Sequence, residues 1–170
     1  MATEQFTDVI ALLKADHRKV EDLFAKFEKA GSGSKQGIAE QICNELKIHA
    51  MLEEEIFYPA LKGKIEDEDA LDEAYVEHDG AKVLINDIMD GGGSGDEFYD
   101  AKVKVLQEQI EHHVKEEEAR EEGIFAQARD TDVDLVAMLD PMVARKQDLM
   151  AQAESGGLPP AQLTAIATPA

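Results

Sequence analysis

The sequence predicts an all-α protein, an antiparallel up-down-up-down four-helix bundle with an additional C-terminal helix. Four long segments carry apolar residues at alternating spacings of three and four, which is typical of helices that face a common core. Short segments rich in glycine, serine or acidic residues separate them, and short connections make neighbouring helices antiparallel. Each of the four apolar stripes also includes one histidine, a residue that the chain uses only five times.

The first two predicted helices span about residues 3–29 and 35–62, with the glycine- and serine-containing segment 31–34 between them. Pro59 should bend or end the second helix, because proline has no backbone N–H to donate. The apolar stripe of the first helix comprises Phe6, Ile10, Leu13, His17, Val20, Phe24 and Phe27. The stripe of the second comprises Ile42, Leu46, His49, Glu53, Ile56 and Ala60.

The third predicted helix begins in the acidic run at 66–69, since negative charge stabilises the first turn of a helix, and it reaches about residue 90. The glycine-rich loop 91–95 follows, and the fourth helix spans about 96–128. The third stripe comprises Leu71, Tyr75, His78, Ile85 and Met89. The fourth comprises Val103, Leu106, Ile110, His113, Glu117 and Ile124.

A fifth helix is predicted over about 133–153, where Thr131 and Asp132 can cap its first turn and Pro141 should kink it. Small residues and prolines follow this helix, and they are typical of a chain end without regular structure. The predicted organisation is a bundle domain over 1–130, a C-terminal helix packed on or beside it over 131–154, and a flexible tail over 155–170.

Two histidines stand four residues before a glutamate, His49 before Glu53 and His113 before Glu117. Residues four apart on a helix share one face and lie about 6 Å apart along the axis, so each pair can bind a metal from one side. Counted from the helix ends, His17, His49, His78 and His113 lie at one level of the bundle, within a turn or two.

His112 and Glu116 are also four apart, but their stripe is mostly polar. We therefore predict that His113 and Glu117 face the core and that His112 lies on a flank. The predicted layer then holds four histidines and two glutamates, which are costly to bury without a ligand. A dinuclear metal centre would satisfy all six side chains. Imidazole and carboxylate without thiolate suit iron or manganese, and zinc less distinctively.

The composition limits the classes of partner. The net charge of −20 argues against nucleic acids and anionic membranes, which both require basic surface. The chain has no apolar run long enough to span a membrane and no secretory signal pattern. Its single cysteine, Cys43, excludes an internal disulfide and fits a reducing compartment. We expect a soluble cytoplasmic protein.

The segments ADHRKVEDLF, HAMLEEEIFYPAL and HHVKEEE, together with His78, resemble the bacterial hemerythrin-like domains, also called HHE cation-binding domains. The resemblance covers about residues 8–128. It implies a four-helix bundle that holds two iron ions joined by an oxo or hydroxo bridge. It also implies that His17 and His49 hold one iron, that His78 and His113 hold the other, and that Glu53 and Glu117 bridge the pair.

The chain departs from the oxygen-carrying hemerythrins, which have two histidines four apart on the third helix and an aspartate five after the fourth-helix histidine. Here Ala74 and Lys82 stand four residues either side of His78, and Glu118 stands five after His113. One iron would therefore have one histidine fewer and a more open coordination sphere, unless the Tyr75 hydroxyl fills the gap. A core tyrosine remains the alternative for Tyr75.

Open coordination positions favour reactive chemistry over reversible oxygen storage. We expect a non-haem di-iron protein that binds O₂, NO or peroxide as a sensor or scavenger, with catalase-like or NO-reducing activity left open. The alternatives are an iron-handling or metal-responsive module, a reversible oxygen-binding protein, and a structural bundle with a degenerate or zinc-filled site. Acid–base candidates near the metals are Tyr75, His112 and Glu54.

Overall fold

The computed structural model describes residues 5–167, and its regular structure is entirely helical over that range. The predicted all-α bundle class is confirmed. Helices α1 and α2 pack together, as do α4 and α5, while α2 joins the two pairs and α7 packs on α2. No helix in the described part is long and apolar enough to cross a membrane. The helices are α1 (Val9–Lys29), α2 (Ser32–Leu52), α3 (Tyr58–Leu61), α4 (Glu68–Asp90), α5 (Tyr99–Glu117), α6 (Ile124–Arg129) and α7 (Leu139–Ser155).

The first loop is shorter than predicted. Helix α1 begins after Asp8, whose side chain accepts a hydrogen bond from the Ala11 N–H at 2.9 Å. Residues 3 and 4, where the sequence predicted the helix to start, lie outside the described range. Ala30 takes an extended conformation, and α2 starts at Ser32 instead of about residue 35. The serine- and glycine-containing segment therefore forms the first turn of α2.

Helix α2 continues into a π-helical segment, Glu53–Phe57, before α3 begins. The backbone N–H of Tyr58 donates to the carbonyl of Glu53, five residues earlier, which is the hydrogen bond that defines a π turn. Pro59 follows and has no N–H to donate back along the helix. The irregularity that the sequence predicted near Pro59 is thus a π segment, and the backbone remains helical through it to Leu61.

Helix α5 ends at Glu117 and does not run to residue 128 as predicted. A close turn over 118–123 separates it from α6. Gly123 makes that turn, since a Cβ at this position would lie 2.5 Å from the carbonyl oxygen of Glu117 and 2.6 Å from that of Ala119. Only glycine allows the backbone to approach so closely.

Helix α7 begins at Leu139, later than the predicted start near residue 133. The Thr131 hydroxyl donates to the carbonyl of Ala128 at 2.6 Å and accepts from the Val133 N–H at 3.2 Å, so it stabilises a turn instead of capping a long helix. Pro141 then lies in the first turn of α7, where its missing N–H leaves no hydrogen bond unmade. Pro141 thus stands at the start of α7 and not inside a longer helix, where the sequence predicted a kink.

The C-terminal segment, residues 158–166, lies along α4. Two oxygens of the Asp79 carboxylate accept backbone N–H groups of Thr164, Ala165 and Ile166 at 2.6 to 3.0 Å. The side chain of Asn86 exchanges two hydrogen bonds of 2.8 Å with the backbone of Ala161. The region that the sequence predicted as a flexible tail thus includes a stretch with defined contacts on the bundle.

The apolar core is divided into two clusters, and the histidine layer lies between them. The cluster nearer the start of α1 includes Val9, Leu13, Leu52, Phe57 and Phe125. The other cluster includes Val20, Phe24, Ile42, Ile85 and Leu106. Both clusters are buried, so the polar layer is held in the middle of a close-packed bundle.

Candidate metal centre

Two of the predicted histidines, one on α1 and one on α2, meet inside the bundle. The Nε2 atoms of His17 and His49 lie 3.1 Å apart. His49 Nε2 lies 2.9 Å from Glu53 Oε1, and His17 Nε2 lies 3.6 Å from Glu117 Oε1. All four side chains are buried, and their nearest nitrogen and oxygen atoms fall within 4.8 Å of one another.

The other two histidines, on α4 and α5, form a matching group. The Nε2 atoms of His78 and His113 lie 3.3 Å apart. His78 Nε2 lies 3.0 Å from Glu53 Oε2, and His113 Nε2 lies 3.2 Å from Glu117 Oε2. Each carboxylate therefore presents one oxygen to each pair of imidazoles, which is the arrangement that bridges two metal ions.

The outward nitrogen of every one of these imidazoles contacts a carboxylate from a different residue. These Nδ1 contacts are His17 with Glu118 (2.8 Å), His49 with Asp16 (3.1 Å), His78 with Glu54 (2.9 Å) and His113 with Glu77 (3.2 Å). An imidazole that donates its Nδ1–H to a carboxylate keeps its lone pair at Nε2, facing the centre. The four carboxylates thus orient the rings for binding a cation.

The inner carboxylates are deeply buried yet incompletely hydrogen-bonded. The Oε1 atoms of Glu53 and Glu117 face imidazole Nε2 atoms at 2.9 and 3.6 Å but have no well-formed hydrogen bond, and the two residues are 0% and 1% exposed. A buried carboxylate oxygen without a hydrogen bond is costly. The donor set and these two oxygens both fit divalent or trivalent cations between the rings.

In the metal-free protein, the histidines and carboxylates at the centre shift one another's pKa values. Burial alone would lower the pKa of His49, but the neighbouring Glu53 and Asp16 carboxylates raise that pKa to about 10. Burial opposes ionisation of Glu53 as well, yet the imidazoles of His49 and His78 hold its pKa well below the usual range. Protons therefore occupy the centre without metal, and a bound cation would have to displace them.

Tyr58 also belongs to the centre, although no pattern in the sequence singled it out. Its hydroxyl lies 2.8 Å from Glu53 Oε2 and 2.6 Å from Glu117 Oε2. Burial and the two carboxylates raise its pKa well above the ordinary value, so the phenol holds its proton. On a regular α-helix, a residue five after Glu53 would lie about 140° round the helix axis. The π segment brings Tyr58 back toward the glutamate.

A family model described as Hemerythrin HHE cation binding domain matches residues 8–127. The chain belongs to the hemerythrin HHE family. The crystal structure of a Hemerythrin HHE cation binding domain-containing protein from Mycobacterium kansasii superposes with a TM-score of 0.73. That match has 18% sequence identity and covers 89% of this chain and 94% of the other.

A curated relative, a protein named DNA nickase from Nostoc sp., is 31% identical over 117 residues. The aligned region is 68% of this HHE chain but only 33% of the relative. The HHE chain thus spans about a third of that protein's length, and the relative's name describes a much longer molecule.

Lys82 and Glu118 stand at positions where this HHE protein departs from the oxygen carriers, and both side chains contact residues outside the centre. The Lys82 ammonium binds Glu54 at 2.9 Å and Asp79 at 3.2 Å. Glu118 faces outward, where it contacts His17 Nδ1 and the Arg18 guanidinium. Neither side chain reaches the space between the imidazoles.

Tyr75 and His112 lie outside the buried centre of the HHE bundle. The Tyr75 ring packs edge-on against the Tyr58 ring, with 5.4 Å between centroids. The hydroxyl that contacts the two buried carboxylates is that of Tyr58. The imidazole of His112 is 64% exposed, whereas that of His113 is buried. Glu54 lies outside the centre as well, beside His78 Nδ1.

A cavity of about 860 Å³ leads to the HHE centre from the side covered by the C-terminal segment. The imidazoles of all four buried histidines contribute to its wall, as does Tyr58. Its other lining residues include the apolar Val20, Leu46, Leu71, Ile85, Ile110 and Leu158. A small molecule can therefore approach the histidines through apolar surroundings.

Proposed function

We propose that this protein is a non-haem di-iron protein that binds O₂, NO or peroxide and acts as a scavenger or sensor of these molecules. In this proposal His17 and His49 would hold one iron, and His78 and His113 would hold the other. Glu53 and Glu117 would supply the carboxylates that face both ions. Bound iron would supply the open coordination positions and the exchange of electrons that this chemistry needs.

One observation carries the proposal: four imidazole Nε2 atoms and two carboxylates converge in one buried layer. Each imidazole is oriented from behind by its own carboxylate, a pattern common among histidines that bind metals. The two bridging glutamates each face both pairs of rings. A structural bundle without metal would have no reason to bury this set.

The chain itself provides a hydrogen-bond donor at the centre and a barrier against water. The Tyr58 hydroxyl, within 2.8 Å of both Glu53 and Glu117, can donate a hydrogen bond to either carboxylate. Phe125 stacks on the His17 ring at 5.7 Å between centroids, and Phe57 packs edge-on against Phe125 at the same distance. These rings close the end of the centre opposite the second apolar cluster.

Reactive chemistry is favoured over oxygen carriage, because Lys82 and Glu118 hold other partners and add no ligand to the centre. We do not carry DNA nicking over from the Nostoc relative. The 37 acidic residues against 17 basic ones oppose the approach of a DNA backbone.

Stopped-flow mixing of the anaerobically reduced protein with O₂, NO or peroxide tests the function. We expect rapid oxidation in air without a long-lived oxygenated form, and removal of peroxide or NO at least about tenfold faster than by the His78→Ala variant. Reversible oxygenation would instead indicate an oxygen carrier. A loaded protein that reacts with none of the three would indicate an iron-handling module.

A further inference from the structure

The carboxylate behind His78 is held by two different parts of the chain. Glu54 Oε2 lies 2.9 Å from His78 Nδ1, and the Lys82 ammonium lies 2.9 Å from the same oxygen. The other oxygen, Glu54 Oε1, accepts from Lys82 Nζ at 3.1 Å and from the Thr164 hydroxyl at 2.5 Å. Thr164 belongs to the C-terminal segment and lies 110 residues after Glu54. A residue distant in the chain therefore contacts the group that orients a proposed metal ligand.

The side chains of Lys82, Thr164 and Glu54 form a closed triangle of hydrogen bonds. Lys82 Nζ donates to Thr164 Oγ1 at 3.3 Å, and the Thr164 hydroxyl donates to Glu54 Oε1. A hydroxyl that accepts from a cation donates more strongly to a carboxylate, because hydrogen bonds in a chain polarise one another. The lysine acts as a point charge with freely rotating donors, so the hydroxyl restricts the direction in which the carboxylate faces.

Thr164 is held in this position through its backbone. Asp79 follows His78 directly in α4, and one step along a helix turns the side chain by about 100°. His78 thus faces the centre, whereas Asp79 faces the C-terminal segment. The Asp79 carboxylate is 0% exposed and accepts the N–H groups of Thr164 and the next two residues. A buried carboxylate needs such donors, so docking of the segment on Asp79 fixes the place of Thr164 beside Glu54.

The carboxylates behind the other three buried histidines have different outer partners. These partners are Arg18 for Glu118, Lys146 for Asp16 and His112 for Glu77. Within the described part of the chain, Glu54 is the one of the four that also accepts a hydrogen bond from the C-terminal segment. Docking of this segment therefore acts on the His78 side of the centre.

We propose that Thr164 is a positioning residue of the centre: docking of the C-terminal segment on Asp79 brings its hydroxyl onto Glu54, which orients His78 for metal binding. The proposal rests on the metal centre proposed above. It adds to that centre a part of the chain that lies beyond residues 8–127, which the family model matches. Loss of the Thr164 hydroxyl should then affect His78 and leave the other three imidazoles unchanged.

Proton NMR of the Co²⁺-loaded protein tests this role, because paramagnetic Co²⁺ moves the Nδ1–H resonances of bound imidazoles out of the crowded part of the spectrum. The His78 resonance is the one that Glu54→Gln changes, since Glu54 accepts that proton. Thr164→Val removes the hydroxyl with little change in shape, and Thr164→Ser keeps it. Lys146→Gln is the matched control, because the Lys146 ammonium acts on the carboxylate behind His49.

We expect Thr164→Val to shift the His78 resonance and to make its exchange with water at least about threefold faster, because the hydrogen-bonded group opens more often. The other three resonances should stay in place. Thr164→Ser should restore the spectrum of the natural chain, and Lys146→Gln should change the His49 resonance instead.

Two results would overturn the positioning role while leaving the metal centre intact. One is a spectrum of Thr164→Val that is identical to that of the natural chain. The other is an equal change in all four resonances, which would indicate a general loss of structure. Absence of Co²⁺ binding by the natural chain would contradict the centre itself and the role of Thr164 with it.

Discussion

At the scale of single residues, the centre depends on which of two adjacent histidines faces inward. A shift of one residue rotates a helical side chain by about 100°, which moves it from the core to the surface. His113 lies inside with Glu77 on its outward nitrogen, while His112 lies outside between Glu77 and Glu116. The apolar stripe of Val103, Leu106 and Ile110 identified the same face from the sequence.

The adjacent histidines should behave in opposite ways on substitution. His113→Ala removes a proposed ligand, so we expect the purified variant to lose at least one of its two metals and the associated optical spectrum. His112→Ala should keep both metals at equilibrium, because its imidazole is exposed. Metal analysis of the two variants side by side checks this, and retention of both metals by His113→Ala would refute the assignment.

Tyr58→Phe should destabilise the metal-free protein by about 1–3 kcal/mol, since it removes the hydroxyl that donates to one or the other of two buried carboxylates. Urea unfolding of metal-free protein measures this difference. Tyr75→Phe is the matched control, because the carboxylates that act on its hydroxyl are Glu54 and Asp72 and not Glu53 or Glu117, and it should change stability by less than about 0.5 kcal/mol. Equal effects of the two substitutions would contradict the role of Tyr58.

At the scale of elements, the departures from regular helices are concentrated around the centre. The π segment Glu53–Phe57 carries Glu53, one of the two proposed bridging residues, and brings Tyr58 close to it. Helix α5 ends at Glu117, the other proposed bridging residue, and the turn after it positions Phe125 on the His17 ring. Both irregular segments follow directly after a His–Glu pair.

Gly123→Ala should disrupt the turn that follows α5. Its Cβ would lie 2.5 to 2.7 Å from backbone atoms of Glu117 and Ala119, which cannot move away as a flexible side chain could. We expect a loss of more than about 2 kcal/mol and weaker metal retention. Gly37→Ala, in an open position on α2, should instead add about 0.5–1 kcal/mol. Thermal unfolding of both variants provides the comparison, and a neutral Gly123→Ala would be inconsistent with the structure.

The features that follow from helical periodicity could be predicted from the sequence. The features that depend on local backbone geometry or on contacts between distant residues could not. Spacings of three and four identified the helices and the inward face of each histidine, and the bundle class was confirmed. Tyr58 was missed because a π turn has no periodic signature. The early end of α5 depends on backbone contacts at Gly123, and the contacts of residues 158–166 with Asp79 join positions far apart in the chain.

At the scale of the whole molecule, the layer of four histidines and two glutamates lies between the two apolar clusters and is built by α1, α2, α4 and α5 with the π segment. A bound cation would therefore connect all four helices of the bundle. Its removal would leave four imidazoles and two carboxylates to share protons inside the core.

Removal of metal should accordingly lower the stability of the whole bundle. Ligand linkage predicts about 4 kcal/mol when free metal exceeds its dissociation constant about a thousandfold. Calorimetric melting of the loaded and chelator-treated forms measures the change. We expect a clearly lower melting temperature without metal, and identical melting curves would show that the layer is stable without a cation.

The metal content of protein expressed with ample iron and purified in air tests the central claim most directly. Elemental analysis with an optical spectrum of the same sample should give two iron ions per chain and the ultraviolet absorption of a bridged ferric pair. One metal ion per chain, or zinc alone under these conditions, would contradict the proposed di-iron centre.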